Sequence, residues 1–164
     1  MKKNREKVFI TTIIIGVVAI CVFVAGVFYA TSIRKQYFDY ISRISTSMVY
    51  ARDRGGAIAH YDDKAYRLTP EYTERLYKLI TSFGIGKKNN NEIREDHIVY
   101  DFKNDTSLII CETDINGVVV HDKGLLVCFI DEEGNTYSYD YDNKLYPEFI
   151  DDLNVVYYAR QLGN

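Results

Sequence analysis

The stretch "LLVCFIDEEGNTYSYDYDN" runs from Leu125 to Asn143, and its two halves set the fold class. Leu125–Asp131 is a short apolar run and reads as a strand. "EEGN" then turns the chain into Thr136–Tyr141. There Tyr137, Tyr139 and Tyr141 alternate with Ser138 and Asp140, the period of two that only a strand gives. One face of this strand is expected to be aromatic and covered, the other acidic and wet. A calcium loop is the competing reading of the same residues. Counted from Asp140, it would place Lys144 at a ligand position and Leu145 where the turn glycine belongs. The loop therefore fails, leaving Asp140, Asp142 and Asn143 as a weak cation candidate at the strand's end.

Upstream, the same grammar repeats. Ala57–Tyr61 and Ala65–Leu68 flank Asp62-Asp63-Lys64 and read as a hairpin. His97–Phe102 and Ser107–Thr113 are joined by the turn "KNDT", and Gly117–His121 reads as a further strand before a turn at Asp122-Lys123-Gly124. Short strands with tight turns predict an antiparallel meander. Between hairpin and meander lies a well-punctuated helix. Thr69 stands at its N-cap, Pro70 at N1 and Glu71 near the positive end of its dipole. Tyr72, Leu76, Leu79, Ile80 and Phe83 form its apolar face, and Gly84 closes it. Glu71 and Arg75, and Glu74 and Lys78, are spaced as i,i+4 pairs. Residues 84–96, "GIGKKNNNEIRED", read as a polar loop, and a last helix begins at Pro147, burying Phe149, Ile150, Leu153, Val156 and Tyr157.

A different rule governs the N-terminal part. From Val8 to Ala30 there are 23 residues without a charge, fourteen of them Ile, Val or Phe. As a helix this segment would be about 34 Å long, against roughly 30 Å of bilayer hydrocarbon. Each Ile, Val or Phe favours insertion by about 0.3–0.6 kcal/mol, so residues 8–30 read as a transmembrane anchor. Phe28 and Tyr29 crowd the signal-peptidase position at Ala30, and Ile20 precedes Cys21 where a lipoprotein needs a small residue; both favour an uncleaved helix. Lys2, Lys3, Arg5 and Lys7 precede it, while Arg34 and Lys35 follow. The positive-inside bias then makes residues 1–7 a cytoplasmic tail and places the rest outside the cytoplasm, on a single-pass protein of the cell membrane.

Residues 31–54 continue as a juxtamembrane helix. Ile33, Tyr37, Ile41, Ile44, Met48 and Ala51 form one stripe at helical spacing, and "RDRGG" ends it. The stripe would pack on the chain's own sheet. Alternatively, Ile33, Tyr37, Ile41, Ile44 and Met48 would join two copies as a homo-oligomer. The expected architecture is α+β: a transmembrane helix running into the juxtamembrane helix, then an antiparallel meander packed with two further helices over residues 55–164.

Chemistry is sparse. Residues 32–164 hold 16 basic and 22 acidic side chains, a net charge of −6. With no basic run longer than two, this part excludes nucleic acid as a partner. His60, His97 and His121 stand singly, with no His-x-x-x-His or Cys-x-x-Cys spacing for zinc. "GIGKK" follows a helix where a phosphate loop would precede one. Asp62-Asp63, Asp131-Glu132-Glu133 and Asp151-Asp152 fall where turn chemistry and helix starts explain them. Cys111 and Cys128 lie on neighbouring strands and form a candidate disulfide beside the reading as two buried thiols. In outline, a long apolar N-terminal helix entering an antiparallel sheet resembles pilins and pseudopilins. Their leader signature, a Gly before Phe-Thr-Leu and a glutamate in the apolar helix, is absent from "EKVFITTIII".

No catalytic residue, cofactor or metal is therefore expected. The leading expectation is a non-catalytic binding domain for an envelope protein, a peptide or a cell-wall component, held to the membrane by one helix. The 15 tyrosines suit such contact surfaces. A sensory ectodomain acting through a membrane partner, a pilin-like subunit and an envelope hydrolase with a dispersed site are the alternatives.

Overall fold

The computed structural model describes residues 2–88, 93–114, 123–142 and 144–162, with residues 2–11, 114, 123 and 155–162 described by backbone alone. In chain order it contains α1 (Lys2–Asp53), β1 (Ile58–Tyr61), β2 (Lys64–Arg67), α2 (Pro70–Ser82), β3 (Lys87–Lys88), β4 (His97–Asp101), β5 (Ser107–Asp114), β6 (Lys123–Ile130), β7 (Thr136–Tyr141) and α3 (Tyr146–Leu162). Two compact units divide the chain, residues 1–38 and 39–164, and the division falls within α1.

In the first unit every residue from Thr12 to Gln36 is exposed. Phe23 and Phe28 show more than two-thirds of their surface among the described residues. The helix is long and apolar enough to cross a membrane.

The second unit is an α+β domain built on one antiparallel sheet of seven strands, ordered β2-β1-β4-β5-β6-β7-β3. The meander expected from the turns is its centre, β4 through β7. Both faces are buried at that centre. Leu108, Ile109, Ile110 and Cys111 of β5 are all buried, as are residues 125–129 of β6, which is why these strands read as unbroken apolar runs.

At the hairpin, Asp62 and Asp63 both take positive φ, 49° and 56°. Such a two-residue turn suits the strand twist, and Asp tolerates the left-handed region better than most residues. The expected strand Gly117–His121 falls outside the described residues, and β5 pairs directly with β6 up to Asp114 opposite Lys123. Lys123 and Gly124, expected in a turn, are the first residues of β6.

Cross-strand register places Tyr100, Leu108, Val127 and Tyr139 on one face of the sheet. The helices cover that face. Tyr40 of α1 stacks on Tyr139 with ring centroids 4.4 Å apart and donates its hydroxyl to the Val127 carbonyl at 3.3 Å. Phe83, just beyond α2, lies 5.0 Å from Tyr141. Leu76 of α2 and Phe149 and Leu153 of α3 close over Tyr100. Burial and the nearby Asp152 push the Tyr100 hydroxyl well above the usual phenol range.

Four expectations need correction. Of the expected stripe on α1, Tyr37, Ile44, Met48 and Ala51 are buried, while Ile33 is exposed; Tyr40 and Ser47 are buried besides. Ile41 is half-buried, and the Tyr40 ring beside it reaches the aromatic row on β7. In α2, the full burial falls on Thr73, Leu76 and Ile80; Tyr72 and Leu79 lie at its edge. Residues 84–96 are not wholly a loop. Lys87 and Lys88 pair with Asp140 and Tyr139, adding β3 as an edge strand. Gly86 makes that pairing fit, since a Cβ there would lie 2.9 Å from the Tyr141 ring. Finally, the acidic face of β7 is not simply wet: Asp140 is half-buried, with Lys87 opposite it.

The end of α1 follows from two glycines. Gly55 and Gly56 adopt φ of 92° and 95°, and the Gly56 N–H donates to the Ala51 carbonyl at 2.8 Å, a helix-terminating bond that needs left-handed backbone. A Cβ on Gly56 would sit 1.8 Å from the Leu68 carbonyl oxygen. The chain therefore enters β1 pressed against the end of β2.

Candidate functional site

Arg43 points from α1 toward the turn after β6, where Asp131 is buried. That turn is built around the Asp131 carboxylate. Its Oδ1 accepts the Glu133 N–H at 3.0 Å and the Asn135 N–H at 2.8 Å. Its Oδ2 accepts Asn135 Nδ2 at 3.1 Å and the Tyr137 hydroxyl at 3.2 Å. Such side-chain bonds to the following backbone are the reason Asp opens tight turns. Burial alone would raise the carboxyl's pKa, but the bonds from Asn135, Glu133 and Tyr137 outweigh it and hold it below the usual carboxylate range.

Onto this fixed anion comes the Arg43 guanidinium, with Nη1 3.2 Å from Oδ2. The Arg43 Cζ also lies 5.3 Å from the centre of the Tyr137 ring, within cation–π range. Half of the arginine side chain remains exposed, 52%, against 5% for Asp131. The arrangement is an arginine oriented from behind, with one side left open.

The open side borders a pocket of about 220 Å³, lined by Ser42, Thr46 and Ser47 of α1, Asn104 and Thr106 of the β4–β5 turn, and Glu132. The turn is itself held by Thr106 Oγ1 donating to Asn104 Oδ1 at 2.6 Å, with Lys103 and Asp105 at positive φ. Short hydroxyl and amide groups thus surround one oriented guanidinium. Such a set can hold a small polar ligand by hydrogen bonds.

A second, larger groove of about 520 Å³ runs between α2 and α3. Arg75 crosses it to Asp152 at 2.9 Å. The expected pairing of Arg75 with Glu71 is thus replaced by a bridge between helices. Lys78 does reach Glu74, at 3.6 Å, and Glu74 also accepts from Arg52 at 3.1 Å. Of the groove's charges, Arg75 and Asp152 thus join the two helices, and Lys78 is paired within α2.

The residues singled out in the sequence do not converge. Asp140 and Asp142 lie at the end of β7 and Asn143 falls outside the described residues; Lys87 stands opposite Asp140, which works against a cation. Among the described residues no group of three His, Cys, Asp or Glu could hold a metal ion. His60 and His97 sit on different strands, and His121 falls outside the described residues. Cys111 and Cys128 are free, buried thiols on one face of neighbouring strands. Cys128 faces Ile109 and Cys111 faces Leu126, so the two are diagonal.

Arg43 gave no signal in the sequence, because it sits on the polar side of α1 and its partner is 88 residues away. The five residues "DEEGN" were the legible half, as turn chemistry. No protein-family model, curated protein or solved structure matches this chain.

Proposed function

We propose that this chain is a single-pass membrane protein whose α+β domain lies outside the cytoplasm and binds another molecule without transforming it. The apolar helix, exposed from Thr12 to Gln36 among the described residues, supports the anchor, and the four-to-two excess of basic residues before it supports the orientation. The observation that carries binding is the half-exposed Arg43, oriented by a buried and fully hydrogen-bonded Asp131 beside a polar pocket. Asp131 is engaged on both oxygens and is held ionised, so it serves orientation and not proton transfer. Envelope proteins, peptides and cell-wall components are the partner classes that this placement offers.

A photo-crosslinking residue at Thr46, on the pocket, should capture a defined partner in intact cells. The same residue at Ala65, exposed on the far edge strand, should not. Equal capture from both positions, or turnover of an envelope substrate by the purified protein, would overturn the reading.

A sensory ectodomain is a second reading, with one observation in its favour. Ser42, Arg43, Thr46 and Ser47 belong to the same helix as the apolar segment, so occupancy of the pocket would act on the element that enters the membrane.

A further inference from the structure

Arg43 uses little of its bonding capacity. A guanidinium carries five N–H donors, and the bond it makes to a described residue runs from Nη1 to Asp131. Asp131 is saturated by the backbone and side chains of its own turn, so it orients the arginine and has no capacity left for a ligand. We infer that the pocket receives a single carboxylate carried by a peptide, taken by the free donors of Arg43, with Ser42, Thr46 and Asn104 bonding the adjoining amides. This rests on the binding-module reading above and names its ligand.

The pocket's own features select that chemistry. The planar fork of a guanidinium matches a carboxylate through two parallel bonds. A phosphate dianion fits less well, because Glu132 lines the same pocket and the arginine's charge is already partly balanced by Asp131. A sugar ring usually rests on an open aromatic face. Here Phe129 is 1% exposed, and the Tyr137 ring is occupied by Arg43 itself. Thr46 Oγ1 already donates to the Ser42 carbonyl and can accept from a peptide N–H, while Asn104, bonded to Thr106 and Ser47, keeps a second Nδ2 hydrogen for a peptide carbonyl. About 220 Å³ is room for a chain end and not for a folded surface.

The test uses the full chain in detergent micelles, labelled with ¹⁵N-arginine, and two probes that differ in one group. These are N-acetyl-Ala-Ala with a free carboxylate and the same dipeptide as its carboxamide. The acid should shift the Arg43 Nε–H resonance and saturate, and the amide should bind about tenfold more weakly or worse. Binding to the variants is read by isothermal titration calorimetry, which does not depend on the arginine's own resonance, and there Arg43→Gln should abolish binding of the acid. Arg43→Lys keeps the charge without the fork, and should fall between them while guarding against a folding defect in the first variant. Equal binding of acid and amide, acid binding untouched by Arg43→Gln, or inorganic phosphate binding more tightly than the acid would each overturn the inference. If neither dipeptide binds while Thr46 still crosslinks a partner, the peptide-carboxylate inference falls and the binding-module reading stands.

Discussion

Arg43 Nη1 and Asp131 Oδ2 lie 3.2 Å apart, tying the C-terminal part of α1 to the turn that follows β6. The two ends of this bond are unequal. Asp131 is held by four other hydrogen bonds, whereas the arginine is half in solvent. Removing the arginine should therefore cost little: Arg43→Ala is expected to lower stability by about 0.5–1 kcal/mol, as for an exposed ion pair. Asp131→Ala should cost clearly more, because the Glu133 and Asn135 N–H groups and the Tyr137 hydroxyl lose their acceptor. Urea unfolding of both variants checks the order, and an equal loss from each would be inconsistent with this turn.

Asp131 also sets a pH dependence. Its folded pKa is depressed, so the stability it contributes is complete above the ordinary carboxylate value. That contribution is lost as pH falls from about 4 downward, through the lower folded value. The difference in stability between the wild type and Asp131→Asn should be constant at neutral pH and shrink as acid is added. A difference that widened in acid would contradict the assignment.

Gly56 and Gly134 separate two costs of replacing glycine. Both have positive φ, 95° and 81°, but nothing lies within 4 Å of a Cβ on Gly134. Gly134→Ala should cost about 1–2 kcal/mol from backbone strain alone. Gly56→Ala adds a clash with the Leu68 carbonyl and should cost about 3 kcal/mol or more. Comparable unfolding midpoints for the two variants would show that the chain at Gly56 is less constrained than described.

Cys111 and Cys128 are expected to remain thiols. Diagonal neighbours on adjacent strands have Cα atoms about 7–8 Å apart, at or beyond the reach of a disulfide. Burial pushes both thiols up in pKa, so little reactive thiolate exists near neutrality. Maleimide should label them slowly in the folded protein and fully in denaturant, without prior reduction. Labelling only after reduction would mean that the strands shift to let a bond form.

Local periodicity made most of these elements legible. The alternation of Tyr137, Tyr139 and Tyr141 located β7 to the residue, and Thr69-Pro70 located the start of α2. β3 was hidden because two lysines in a polar stretch carry no period, and its cause lies in the approach of Gly86 to Tyr141. The stripe on α1 was legible at Tyr37, Ile44, Met48 and Ala51, whereas Tyr40 was missed because a helix alone does not reveal which neighbour offers an aromatic row. The pocket was the least visible feature. Its parts come from α1, the β4–β5 turn and the end of β6, and only folding brings them together.

Placement of the domain is the premise on which the binding proposals depend. His60 is exposed on β1, and the native cysteines lie either in the apolar helix or in the buried sheet. A His60→Cys variant treated in intact cells with a membrane-impermeant maleimide should be labelled at once, well above the wild type. Labelling that appears only after the membrane is opened would put the domain in the cytoplasm and contradict the proposed orientation.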